Sequence, residues 1–231
     1  MSIALYELAG ADPEKRFSPY CWRIRLALFH KGLEFTTIPW RFTEKEAIAF
    51  AGTDKVPVMA DGEHVLFDSV RIAEDLEARY ADRASLFGGK RGQALGQFVT
   101  EWMDSQISPA LFRMVVVDIP QHLAEQDVAY FRKSRETRVG MSLEEFCADR
   151  ADRIEPFRAL LTPLRRVLAR QPFLSGDSPA WADYVAFAPF QWARMVSPLK
   201  LLAEEDPVFA WRGRMLDLYD GDAAKAPAFP I

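Results

Sequence analysis

Apolar positions follow two rhythms along the chain, and the rhythm changes near residue 85. Before that point short apolar runs alternate with segments of helical spacing; after it nearly everything keeps the helical period. Ile3 to Leu8 is an apolar run with a tyrosine and reads as a first strand. A polar loop with Gly10, Asp12 and Pro13 leads to Ser18-Pro19, which predicts a helix start. Serine is a favoured N-cap, and proline fits the first helical position because its missing N–H would be unpaired there. Trp22, Leu26, Phe29 and Leu33 follow at helical spacing, with Gly32 where a C-cap belongs. Phe35, Thr36, Thr37 and Ile38 predict a second strand. Thr43 with Glu46 reads as a capping box for a short helix ending near Gly52. Val56 to Met59 and His64 to Phe67 predict a hairpin around Asp61-Gly62. Asp68-Ser69 then caps a helix with Ala73, Leu76 and Tyr80 on one face, giving the order β-α-β-α-β-β-α.

Ala81 to Gly92 is glycine-rich and predicts a linker, and helical spacing resumes at Gln93 through Leu95, Phe98 and Trp102. Met114 to Ile119 is β-branched and fits helix or strand until Pro120 breaks it; Lys133 to Gly140 is polar and reads as a loop. Ser142 with Glu145 is a second capping box. Ile154, Phe157, Leu161, Leu164 and Leu168 predict one amphipathic helix. Gly176 to Pro179 is a turn, two helices follow around Trp181 to Val196 and Pro207 to Tyr219, and the tail from Ala226 is irregular. Pro189 is expected to kink the first of these helices. The fold class is therefore α+β, with a mixed domain over 1–84 and an all-helical domain over 92–231.

Composition narrows the classes of function. With 49% hydrophobic and 27% charged residues the chain can build a core and a wetted surface, so disorder is excluded. A net charge of −4 disfavours a nucleic-acid partner. No apolar run approaches the about 18 residues of a membrane helix. The first residues lack the basic and apolar regions of a signal peptide, so a cytoplasmic protein is expected. Cys21 and Cys147 make no disulfide framework, and with His30, His64 and His122 they show no metal-ligand spacing; no metal is expected.

Two helix N-termini carry the candidate chemistry: Ser18 and Asp68-Ser69. Such ends present free N–H groups and a partial positive charge. A hydroxyl there can donate to a thiolate, favouring the charged form of a thiol that otherwise titrates at about 8.5. Taken alone, Ser18 is equally well a cap, and both roles can hold together.

Ser18-Pro19-Tyr20-Cys21-Trp22-Arg23, then Lys55-Val56-Pro57, then Asp68-Ser69 with Ile72-Ala73-Glu74-Asp75-Leu76 resemble the glutathione S-transferases. The resemblance implies a thioredoxin-like N-terminal domain, an all-α C-terminal domain and glutathione as co-substrate. It implies that Ser18 hydrogen-bonds the glutathione sulfur and that the Val56 backbone pairs with the cysteinyl part beside a cis bond to Pro57. Asp68 and Ser69 would hold the γ-glutamyl end, and Lys55 the glycyl carboxylate. A homodimer and a hydrophobic, aromatic electrophile as second substrate are implied as well. Ser-Pro-Tyr-x-Trp-Arg with Leu26 to Gly32 looks most like the bacterial β-etherase and fungal-type branch, which implies glutathione-dependent cleavage of aryl ethers or binding of bulky aromatics.

The sequence departs from the family at Ala51-Gly52-Thr53-Asp54, where Asn-Pro often stands, and at Ala180, where Ser or Thr usually precedes the aspartate Asp183 by three residues. The missing hydroxyl is expected to weaken that cap by about 1 kcal/mol, with Ser178 as a substitute. Two alternatives stand beside the transferase reading. One is a non-catalytic ligand-binding or interaction module of the same fold. The other is a thiol-disulfide or dehydroascorbate reductase using Cys21, which otherwise reads as a packed residue. Tyr6 stands where some branches of the family place a catalytic tyrosine but reads first as a packing residue, and Phe112, Met114 and Trp192 fit either an aromatic pocket or, as the first expectation, a core stripe.

Overall fold

The computed structural model describes residues 3–230; Met1, Ser2 and Ile231, which belong to the start and tail read above, lie outside them. Strand β1 (Ile3–Leu8) pairs in parallel with β2 (Phe35–Trp40), which places Leu5 beside Thr37. On its other side it runs antiparallel to β3 (Val58–Asp61), with Leu5 opposite Met59, and β3 forms the hairpin with β4 (His64–Phe67). The sheet order is β2-β1-β3-β4. Helices α1 (Pro19–His30) and α2 (Ser69–Arg79) pack together and bury Trp22, Ile24, Leu26, Ile72 and Leu76 in the core. The predicted second helix is a 3₁₀ segment, Lys45–Ala51, and its capping box does not form. The Thr43 N–H donates instead to Asp127 Oδ1 at 2.9 Å, and Gly52 closes the segment at φ 70°.

The predicted linker is pinned rather than free. Leu86 is fully buried, its N–H donates to Glu77 at 2.9 Å, and its carbonyl accepts the Trp181 N–H at 3.0 Å. Helix α3 (Lys90–Trp102) runs through a π turn, Met103–Ile107, into α4 (Ser108–Val115). The β-branched stretch after Met114 ends α4 and continues as 3₁₀ turns. Helix α5 (Glu125–Val139) occupies the segment read as a loop from Lys133 to Gly140; only Gly140 lies beyond it, at φ 77° as a left-handed cap. Next come α6 (Leu143–Phe146), whose Ser142–Glu145 capping box is formed, and α7 (Ile154–Leu160) and α8 (Thr162–Leu168). Those last two replace the single helix expected from Ile154 to Leu168. The break falls at Leu161, where Pro163 has no N–H to continue the ladder.

Helix α9 (Trp181–Val196) is the core of the helical part and continues through the buried Pro189. It packs against α1, α3 and α4. At its start Asp183 replaces the absent cap hydroxyl. Its buried carboxylate accepts the N–H groups of Leu174 (2.7 Å), Ser175 (3.0 Å) and Ala180 (3.3 Å) and Trp211 Nε1–H (3.0 Å). Ser178 makes no cap bond among the described residues. Helix α10 (Pro207–Lys225) is interrupted by non-helical residues Leu218 to Gly221.

Charged and polar side chains lock the two parts together. Arg23 grips Asp104 with Nη1 and Nη2, and Arg25 grips Asp222 with Nε and Nη2, both at 2.7 Å, while its Nη1 reaches the buried Glu7 at 3.1 Å. Burial pushes the Glu7 carboxyl up to about 6, against the pull of Arg25 and Arg16. Gly10 is required by close approach: a Cβ there would stand 2.5 Å from the His122 carbonyl oxygen.

Candidate active site

Ser18 becomes the N-cap of α1 because the extended loop ends there (ψ 125°) and Pro19 presets the first helical turn. Its Oγ accepts the Cys21 N–H at 3.3 Å and also stands within hydrogen-bonding reach of the Cys21 thiol behind it. Ser18 is nearly buried and opens onto a cavity of about 650 Å³ between the sheet and the helical part. Lys55 and Val56 stand in the same wall. The Val56–Pro57 bond is cis, as the resemblance implied, and Pro57 is buried behind it. The Val56 N–H and C=O make no hydrogen bond among the described residues, so both stay available to an extended backbone laid alongside.

Asp68 and Ser69 stand at the head of α2, outside the walls of this cavity. The Asp68 backbone sits at φ 76°, a region that costs a non-glycine residue about 1–3 kcal/mol. Its carboxylate accepts the Val70 and Arg71 N–H groups at 3.0 and 3.1 Å. The Ser69 side chain is buried and forms no hydrogen bond among the described residues.

Cys21 is fully buried, does not line the cavity, and its thiol is pushed up to about 12 by burial and the nearby Glu7 charge. A neutral thiol so enclosed is a poor nucleophile. Tyr6 packs on Phe50 with ring centres 5.6 Å apart and also lies outside the cavity.

The far side of the cavity is aromatic. Trp40 and Phe42 come from the end of β2 and just beyond, Phe112 from α4, Phe131 from α5 and Trp192 from α9. Phe112 therefore joins the pocket wall, Trp192 is buried core and pocket wall at once, and Met114 is core alone. Arg135 and Arg138, on the part of α5 read as a loop, also line the cavity. Val128, Phe131 and Val139 at helical spacing, closed by Gly140, are the sequence signal that would have found this helix.

Comparison with known proteins gives the family. Residues 17–79 match the family description "Glutathione S-transferase, N-terminal domain" and residues 94–213 "Glutathione S-transferase, C-terminal domain". The chain belongs to the glutathione S-transferase family, a family of enzymes whose co-substrate is glutathione. Among solved structures it is similar to glutathione transferase GSTFuA3 from Phanerochaete chrysosporium, at 25% identity and a TM-score of 0.77, over 97% of this chain and 94% of that one. It is also similar in fold to the glutathione S-transferase CsGST63524 of Ceriporiopsis subvermispora, solved in complex with glutathione, at 23% identity and a TM-score of 0.77, over 98% and 95% of the two chains. A likeness of 16% identity and TM-score 0.69, over 98% of this chain and 96% of that one, extends to poplar glutathione transferase F1. No helix among the described residues is long and apolar enough to cross a membrane.

Proposed function

We propose that the protein binds glutathione along the groove from Ser18 to Val56 and turns its thiolate on an aromatic electrophile in the adjoining cavity. The observation that carries this reading is the set of hydrogen-bonding groups along one groove: the Ser18 hydroxyl at the start of α1 and the unused Val56 N–H and C=O, with the unused Ser69 hydroxyl at the head of α2 beyond it. Val56 would pair with the cysteinyl backbone. Ser69 would take the γ-glutamyl carboxylate at a helix N-terminus, with Asp68 holding that end in place and attracting the ammonium. Lys55, exposed at the rim, would meet the glycyl carboxylate. Ser18 would donate to the sulfur, and the thiolate would attack the electrophilic carbon.

The cavity volume lies in the range of small-molecule sites, about 300–1,000 Å³. A two-ring aryl ether, the substrate type of the β-etherase branch, belongs to the acceptors such a space admits. Isothermal titration with glutathione tests the reading. Saturable binding is expected, and silence at millimolar glutathione would remove it. The reductase alternative has no support in the placement of Cys21.

The homodimer belongs to the same proposal. Leu95 and Phe98 lie three residues apart on α3 and are 69% and 71% exposed, an apolar surface that a second copy would cover. Sedimentation should give twice the chain mass, and Leu95→Glu with Phe98→Glu should yield a monomer. A wild-type monomer at micromolar concentration would refute it.

A further inference from the structure

The cavity carries positive charge without a counter-ion. Arg135 and Arg138 are three residues apart on α5, so they share the face that Phe131 turns to the cavity. The Arg135 guanidinium lies 4.6 Å from the centre of the Phe131 ring and 5.0 Å from that of Phe42; Arg138 lies 4.5 Å from that of Phe112. Neither arginine has a carboxylate within 4.0 Å among the described residues, and the one hydrogen bond from the pair is Arg135 Nη1–H to Ser134 Oγ, 2.6 Å. Arg132, on another face of the same helix, pairs with both Glu136 and Glu144.

The carboxylates in the wall are already engaged. Asp104 is held by Arg23, and Asp54 by Lys45 at 3.1 Å. Two guanidinium groups have thus been stacked on aromatic rings and left without an anion, which orients them while keeping their N–H groups free apart from the one bond to Ser134. Burial and the like charge of Arg138 pull the Arg135 pKa down, as expected of a cation short of a partner.

We propose that Arg135 and Arg138 are the anion-recognition end of the acceptor pocket, so that the electrophile carries a carboxylate on its aromatic frame. The inference rests on the transferase reading above. Aromatic walls take the ring, and the guanidinium forks take the carboxylate in the paired geometry that favours arginine. Held at that end, the ring turns its electrophilic carbon toward the thiolate near Ser18. With an aryl chloride, the carbon–sulfur bond forms at the ring carbon, the carbon–chlorine bond breaks, and chloride leaves with the electron pair while the ring carboxylate is untouched.

The test compares 4-chloro-3,5-dinitrobenzoate with its methyl ester, which differs in charge at one end. The wild type should favour the benzoate, and Arg135→Met with Arg138→Met should lower the benzoate-to-ester ratio of kcat/KM by about tenfold, the equivalent of one lost charge-assisted hydrogen bond. Methionine keeps the contact with the rings. Arg135→Lys with Arg138→Lys should retain part of the preference. An unchanged ratio overturns the proposal, as does a rise in the KM for glutathione in step with that for benzoate, which would place the arginines on the co-substrate. If neither acceptor turns over, the transferase reading fails separately. Quenching of tryptophan fluorescence by unreactive 3,5-dinitrobenzoate and its methyl ester then decides the anion site: equal affinity of the wild type for both refutes it, and an acid preference lost in the methionine pair supports it.

Discussion

Replacing Ser18 with alanine should raise the thiol pKa of bound glutathione by one to two units and cut kcat/KM at neutral pH by about a hundredfold, the scale of losing one preorganised donor to a developing or resident anion. The cause is a single hydrogen. Ser18 Oγ accepts from the Cys21 N–H, and its O–H can turn from the enclosed, neutral Cys21 thiol to a glutathione thiolate in the cavity, where the positive end of α1 adds to the same field. Without the donor the anion loses a partner the neutral thiol scarcely needed, and a favoured charged form is what lowers a pKa. The substitution also removes a helix cap, at about 1 kcal/mol of stability. Titrating thiolate absorbance with pH separates the two effects, because the loss of stability leaves the pKa of the folded complex unmoved. An unchanged titration curve would take Ser18 out of the role. Cys21→Ala should leave that curve in place, since its thiol is enclosed and neutral.

The largest loss of stability is expected from Asp183→Ala, at least about 3–5 kcal/mol, a substantial share of what holds a domain of this kind together. One buried carboxylate satisfies three backbone N–H groups and the Trp211 indole. Deleting it strands four donors at the point where the loop from Leu174 to Ala180 enters α9. Each stranded group costs about 1–3 kcal/mol when buried. Asp183→Asn should lose less, because one carbonyl oxygen remains. Urea unfolding gives the measurement, and a shift smaller than about 1 kcal/mol for the alanine variant would show that the loop finds other partners.

Asp183 also shows what sequence reading can and cannot see. The absence of Ser or Thr at position 180 reads as a weakened cap, because only the local half of the motif is visible. The compensating donors come from Leu174, Ser175 and Trp211, and no local pattern connects them. Ser18, the Asp61-Gly62 hairpin and the cap at Asp68 were legible because each is set by chemistry within four residues. Helix α5 was not: its cavity face carries arginines where a core helix would carry leucines, so the polar run from Lys133 resembles a loop. The break at Leu161 was hidden for the opposite reason. The apolar spacing continues across it, and only Pro163 marks the interruption. For the site, Ser18, Lys55 and Val56 do line one cavity, yet its aromatic wall is assembled from four separate elements and exists only in the folded chain.

The π turn at Met103–Ile107 has a consequence for how this protein can diversify. Such a turn takes one residue more than an α-helical turn, which swings everything beyond it by about 100° around the axis. It therefore separates the outward-facing Leu95 and Phe98 of α3 from the cavity-facing Ser108 and Phe112 of α4, although they belong to one continuous rod. Asp104 within the turn, clamped by Arg23, anchors that swing to the first helix. Inheritance can thus rewrite the outer surface of the rod without re-aiming the inner one, so the exposed face and the cavity wall can evolve as separable traits.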